Sequence, residues 1–319
     1  MALSAETDAP PIGLNPTVVL RREALGAAVS GLLALLGFWR ISSVSWSDLS
    51  GLWGQSDAIV EYSMSKTQSH SLFGFFDPHL GFPHGQDWTH FPVLDAANRL
   101  ELSLLQIFLD PVTAVNVLFA LSFPVVAIFM YAVLRNLHVG RSLAVVGGVS
   151  LSLVGYHFDY EHPFLGNYWA VPVGILWLSV LANTRSAIAG RCKRRTVLVV
   201  GFVAAVIVGL HNPQYLVFFS LIGVVAVTIG RSKPHTGLRL SHRIFLLAIP
   251  GVTLLAWLVL GRLLRTVPSV TPATDRPLVD SYVWAGKFLS LLTTPGDSIL
   301  SQFPPNRGLL AAQDISLVS

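Results

Sequence analysis

Val112–Leu134 reads VTAVNVLFALSFPVVAIFMYAVL, 23 residues without a charged side chain. A helix needs about 20 predominantly apolar residues to cross the hydrocarbon of a bilayer, so this run is long enough on its own. Six more apolar runs join it: Leu25–Val44, Leu143–Tyr160, Tyr168–Ala182, Val197–Leu210, Tyr215–Ile229 and Ile244–Leu263. Several are shorter than a full span and lean on aromatic ends, where Trp and Tyr favour the interface. The expectation is an all-α fold, a polytopic membrane helical bundle of about seven transmembrane helices. Composition agrees: 52% of the 319 residues are hydrophobic and only 12% are charged, about half the charged share of a soluble domain. An ordinary water-soluble globule is excluded.

The charges between the runs set an orientation. Arg21 and Arg22 precede the first run, and Arg135 and Arg141 flank a very short turn. Arg185, Arg191, Lys193, Arg194 and Arg195 fill the next loop of that parity, and Arg231, Lys233, Arg239 and Arg243 the one after. Together these are thirteen of the 21 Lys and Arg, against only Glu6, Asp8 and Glu23 on the same side. The positive-inside rule puts that side, and the N-terminus, in the cytoplasm. The same distribution explains the net charge of +4 without nucleic acid, for which no motif is present. Residues 1–22 read as a disordered cytoplasmic tail and 23–264 as the membrane domain. Residues 265–319 read as an external C-terminal segment. The single cysteine, Cys192, excludes an internal disulfide and a thiolate metal cluster.

The remaining fourteen acidic residues fall on the outer parity, many of them in a first external loop of about 65 residues, 45–111. Structureless loops much longer than about 12–15 residues are usually functional or disordered, and the Phe, His and Trp content here opposes disorder. Asp57 and Glu61 are four apart and share a face if helical, with Lys66 further on. They suit a carboxylate pair at a membrane surface; equally, Asp57 caps a short interfacial helix and Glu61 is solvated. From Leu94 to Leu109 the apolar residues Leu94, Ala97, Leu100, Leu104, Leu105 and Phe108 alternate with Arg99, Glu101 and Gln106. This predicts an amphipathic helix in the outer interface, ending before Asp110-Pro111 starts the second span.

A second constellation, Tyr156-His157-Phe158-Asp159-Tyr160-Glu161-His162, closes the third apolar run. Asp159-x-Glu161 is a paired carboxylate of the kind that holds Mg²⁺ or Mn²⁺; the other reading is an interfacial loop of His and Tyr. His211-Asn212-Pro213-Gln214-Tyr215 reads as a tight external turn. Gly-rich nucleotide loops, a Gly-x-Ser-x-Gly elbow and His-Glu-x-x-His are all missing from the sequence, which opposes soluble nucleotide-driven chemistry.

The first-loop pattern Gly54-Gln55-Ser56-Asp57, Lys66 and Asp77-Pro78-His79-Leu80-Gly81-Phe82-Pro83-His84-Gly85-Gln86-Asp87 resembles that of the GT-C superfamily of bacterial integral-membrane glycosyltransferases. Tyr156-His157-Phe158 followed by Asn167-Tyr168-Trp169-Ala170-Val171-Pro172 is a second matching stretch, and the likeness covers roughly residues 22–263. The resemblance implies a cell-envelope transferase moving a hexose or pentose from a polyprenyl-phosphate donor on the external face of the plasma membrane. It implies Asp57 as catalytic carboxylate, with Glu61 beside it, and Asp57, Asp159 and Glu161 around a divalent metal, Mg²⁺ or Mn²⁺. Lys66 and His157 would meet the lipid phosphate, while Asp87, His90, Trp53 and Trp88 would line the substrate. Members of the superfamily have more than seven spans, so the resemblance also implies a truncated member. Two further readings are a non-enzymatic lipid or polysaccharide transport or assembly protein and an inactive fragment. The partners expected are the lipid-linked sugar and membrane lipid.

Overall fold

A computed structural model of the chain describes residues 16–42, 62, 65–67, 76–77, 86–87, 96–158, 163–182, 184, 194–230 and 238–263. All of these belong to the first of two units, Met1–Pro268; the second, Ser269–Ser319, lies outside the described residues, as do the expected tail up to residue 15 and most of the first loop.

Nine helices and one two-residue pairing make up the described structure. They are α1 (Pro16–Ile41), the strands β1 (Phe76–Asp77) and β2 (Gln86–Asp87), α2 (Ala96–Leu105), α3 (Pro111–Asn136) and α4 (Arg141–Ser152). After a 3₁₀ turn at Gly155–Phe158 come α5 (Pro163–Gly166), α6 (Ala170–Leu181), α7 (Arg194–Leu210), α8 (Pro213–Ile229) and α9 (Leu240–Leu263). The fold is helical, and each of the seven apolar runs is the body of a helix. By length and composition three are able to cross a membrane: Arg21–Ile41, Pro111–Asn136 and Leu240–Leu260. The third run, expected as one span to Tyr160, is instead the 12-residue α4 followed by the turn. At 1.5 Å per residue such a helix is roughly 18 Å long, well short of the hydrocarbon. Residues 16–22, assigned above to the tail, form the first turns of α1, where Pro16 takes a position that needs no amide hydrogen.

Contacts between helices fix their directions. Near the start of α1, Glu23 meets Arg135 at the end of α3 and Arg141 at the start of α4. Near the end of α1, Phe38 packs on Phe119 and Phe123, in the first half of α3. Thus α1 and α3 are antiparallel. Ser152 Oγ, at the end of α4, donates to the Phe123 carbonyl, which turns α4 back along α3. In the second group a Cβ on Gly201 of α7 would meet Leu246 of α9, and one on Gly209 would meet Pro250, so α7 and α9 run together. α8 opposes them, because Arg243 at the start of α9 reaches the Val227 carbonyl near the end of α8. Small residues at these crossings let backbones approach closely, as in membrane helix packing.

The core follows the helix crossings. Trp177, Leu181, Val197, Ala205, Val208 and Leu246 are fully buried between α6, α7 and α9. Many apolar side chains nevertheless point outward, among them Leu32 and Leu36 on α1, Leu221 and Val225 on α8, and Val252 and Leu255 on α9. Water-soluble monomers rarely expose contiguous apolar surface on this scale, whereas lipid is the natural solvent for it.

α2 shows the same inversion. Its stripe of Leu100 and Leu104 (64% exposed), continued by Phe108 (84% exposed), faces out, while Asn98, Arg99 and Leu102 are buried. The helix is amphipathic as expected, and the side turned to the protein carries Asn98 and Arg99 together with Ala96, Ala97 and Leu102. Asp110 then caps α3, its carboxylate accepting from the Val112 and Thr113 amides at 3.0 and 3.1 Å and from the Thr113 hydroxyl at 2.6 Å. Pro111 follows at the first helical position, as the sequence predicts.

Candidate functional site

The polar face of α2 meets the segment between α5 and α6. Asn167 Nδ2 donates to Asn98 Oδ1 at 2.6 Å and to Glu101 Oε2 at 2.7 Å, and the Trp169 indole N–H donates to Glu101 Oε1 at 2.7 Å. Asn98 Nδ2 in turn donates to the Phe164 carbonyl at 3.2 Å. Asn98 and Glu101 are three apart on α2 and so share one face. Asn98 and Asn167 are buried; Ala96, Leu102, Ala114, Val115, Phe164 and Trp257 form one buried apolar cluster, and Trp169 packs against the core between α6, α7 and α9. Burial pushes the Glu101 carboxyl above its ordinary range, outweighing the two hydrogen bonds that favour its charged form.

Trp169 also reaches the turn between α7 and α8. Its ring lies edge-to-face with His211, centroids 4.5 Å apart, and stacks on Phe129 at 5.4 Å. His211 is 1% exposed. Its Nδ1 contacts the Ile207 carbonyl at 3.1 Å, and its Nε2 is buried without a hydrogen-bond partner. Burial depresses its pKa to about 4, so the imidazole is neutral at physiological pH. Glu101 and His211 thus flank one indole from two different elements.

A second anchor lies at the corner between α2 and α3. Gln106 Nε2 donates to the Ser65 carbonyl at 2.7 Å and to Ser65 Oγ at 2.6 Å, while the Ser65 hydroxyl donates to the Pro111 carbonyl at 3.1 Å. These bonds hold residues 65–67 of the first loop against the start of α3, and Lys66 stands exposed there. β1 and β2 pair antiparallel, Phe76 opposite Asp87 and Asp77 opposite Gln86. The stretch Asp77–Asp87 that carries the resemblance is therefore closed at its two ends, with Asp87 in the pairing.

His157 is fully buried. Its Nε2 lies 2.6 Å from Ser122 Oγ, its Nδ1 lies 2.6 Å from the Ser152 carbonyl, and its ring stacks on Phe123 at 3.6 Å. Both nitrogens are engaged within the protein, so in this arrangement neither faces a lipid phosphate. The ring instead ties the end of α4 to the middle of α3.

Trp53, Asp57, Glu61, Trp88, His90, Asp159 and Glu161 lie outside the described residues. Among the described residues no three His, Cys, Asp or Glu side chains gather to hold a metal ion. Asn167 and Trp169 lie in the second stretch of the resemblance, but the sequence does not give their contact with Glu101. The signal for that contact was the pair Asn98 and Glu101, three apart on α2, but one sequence does not say which face of an amphipathic helix meets protein. No family model, curated protein or solved structure matches the chain.

Proposed function

We propose that the chain is a seven-span plasma-membrane glycosyltransferase with a cytoplasmic N-terminus, moving a sugar from a polyprenyl-phosphate donor to an acceptor on the external face. The observation that carries this reading is the seam: α2 lies in the downstream part of the first external loop, Asn167 and Trp169 follow the loop of Asp159 and Glu161, and Asn98 and Glu101 hydrogen-bond to them. The downstream flanks of the two carboxylate-bearing loops are thereby tied together. On this reading Asp57, with Glu61 beside it, takes the acceptor proton, and Lys66 offsets charge on the lipid phosphate. Asp87, His90, Trp53 and Trp88 contact the sugar. Asp57, Asp159 and Glu161 offer an all-oxygen donor set suited to Mg²⁺ or Mn²⁺, which would stabilise the leaving phosphate.

The alternating helix directions and the outward apolar surfaces support a helical membrane bundle. Among the described residues the charges of the apolar helices gather at their ends, Glu23, Arg135, Arg141 and Arg243 among them, while Arg99 and Glu101 lie within α2, outside those helices. A transporter places ionisable groups near the bilayer midplane, so this pattern favours the enzyme over a lipid or polysaccharide transport protein.

The test is a transfer assay on the full chain in proteoliposomes supplied with radiolabelled polyprenyl-phosphate hexose or pentose. The expected result is Mg²⁺- or Mn²⁺-dependent release of the sugar from its lipid, lost in Asp57→Asn and in the Asp159→Asn/Glu161→Gln pair. Movement of intact labelled lipid across the bilayer with no release of sugar would establish the transport reading instead. Orientation is checked in a Cys192→Ser background with a membrane-impermeant maleimide. A cysteine at Phe108 should label in intact cells and one at His138 only after permeabilisation.

A further inference from the structure

The buried Nε2 of His211 has a definite chemical preference. A carbonyl can only accept, so the 3.1 Å contact to the Ile207 carbonyl puts the ring proton on Nδ1. In the neutral ring Nε2 is then a bare lone pair, on the side of the imidazole away from its α7 backbone partner. A buried acceptor without a donor is costly to leave unmade. The group that satisfies it must bring a hydrogen and no large charge. Across Trp169 lies the second acceptor, Glu101, each of whose oxygens takes one hydrogen bond, from Asn167 or the indole, and so keeps further lone-pair capacity. Trp169 itself is held between Phe129 and His211 and cannot swing away cheaply.

We infer that His211 and Glu101, bridged by Trp169, form a binding site for the hydroxyl groups of an uncharged sugar. The pattern is acceptor-rich beside an aromatic ring. Hydroxyl groups fit it, and a phosphate, which brings negative charge and more acceptors, does not. Leu100 and Leu104 face outward on the helix that carries Glu101, and a sugar carried on an acyl or prenyl chain arrives from that side. This inference rests on the sugar-handling reading above and names a subsite that the first-loop and second-loop carboxylates do not supply. A water molecule offers the same O–H chemistry and is the competing occupant.

The experiment uses the full chain, ¹⁵N-labelled at histidine, in phosphatidylcholine vesicles, with octyl glucoside as probe below its solubilising concentration. Octyl sulfate is the charged control, and His211→Phe assigns the resonance. The expected result is a saturable upfield shift of the unprotonated His211 Nε2 signal with octyl glucoside and none with octyl sulfate. Glu101→Gln should weaken the apparent affinity about tenfold, with His157 resonances unchanged as evidence of an intact fold. An Nε2 signal already hydrogen-bonded before the probe is added, unmoved by it and showing exchange with water, would make the occupant a water molecule and overturn the inference. Equal shifts with both amphiphiles would overturn it too, as a detergent effect. Binding is read independently of transfer. A shift without turnover keeps this site and removes the enzyme reading, and turnover with no shift does the reverse.

Discussion

Glu23 offers the sharpest test of how the bundle is held. Its carboxylate takes a bidentate pair from Arg135, Nε to Oε2 and Nη2 to Oε1 at 3.0 Å each. Arg141 adds two bonds to Oε1 at 3.1 and 3.0 Å, and the Tyr131 hydroxyl donates at 2.8 Å. One acid therefore joins α1 to both α3 and α4. Two unit charges about 4 Å apart attract by about 4 kcal/mol at an effective dielectric of 20, before desolvation and side-chain ordering are subtracted. The Arg135 side chain is 18% exposed and that of Arg141 is 37%, so solvent screens the second pair more. We expect a coupling of about 2 kcal/mol for Glu23 with Arg135 and about 0.5–1 kcal/mol for Glu23 with Arg141. Glu23→Ala alone should cost about 3 kcal/mol, since it also leaves two guanidinium groups facing each other. Double-mutant cycles on unfolding in mixed micelles measure these terms. A Glu23–Arg135 coupling under about 0.5 kcal/mol, or one smaller than that of Arg141, would refute the ranking by burial.

Four further outcomes follow from the same geometry. Gly148→Ala should destabilise the bundle by about 1–3 kcal/mol, because its Cβ would come within 2.6 Å of the Ala127 carbonyl and 2.7 Å of Ser30 Oγ, whereas Gly251→Ala, with nothing within 4 Å, should be neutral or stabilising in the same unfolding assay. His138 has φ 64° at the end of α3, where the Val139 amide reaches back to Leu134 and the His138 amide to Arg135; His138→Gly should raise stability by about 0.5–1 kcal/mol, and a loss would refute the strain. Asp110→Ala removes the cap of α3 and should cost about 1 kcal/mol, with Asp110→Asn recovering most of it. The seam should also titrate. The folded His211 is depressed from 6.5 to about 4, so its contribution to stability is present above pH 6.5 and lost as pH falls toward 4; that decline in thermal midpoint should flatten in His211→Gln. Glu101 has the opposite sign, its folded pKa being raised from 4.5, so its contribution is present below that value and lost as pH rises through the raised one; Glu101→Gln should remove this part of the profile.

The sequence by itself determined the helical class and the positions of the seven apolar helices. It also set the capped start of α3 at Asp110-Pro111 and the existence of an amphipathic helix near Leu94–Leu109. Each of these is a local property: an uncharged run of sufficient length, a side chain that caps the next turn, a periodicity along one element. The tertiary structure decided what depends on neighbours. It made the third run a 12-residue helix and a turn, because Ser122, Phe123 and Ser152 bind and stack around His157 and fold the chain there. It settled which residues of α2 meet protein, Asn98, Glu101 and Leu102 among them, and left Leu100 and Leu104 facing out. And it brought His211 from a turn 110 positions along the chain to the indole that Glu101 holds. The physical reason is that periodicity records how strongly two faces of a helix differ, whereas which face is buried depends on whether the surrounding solvent is water or lipid and on which polar partners the other helices present.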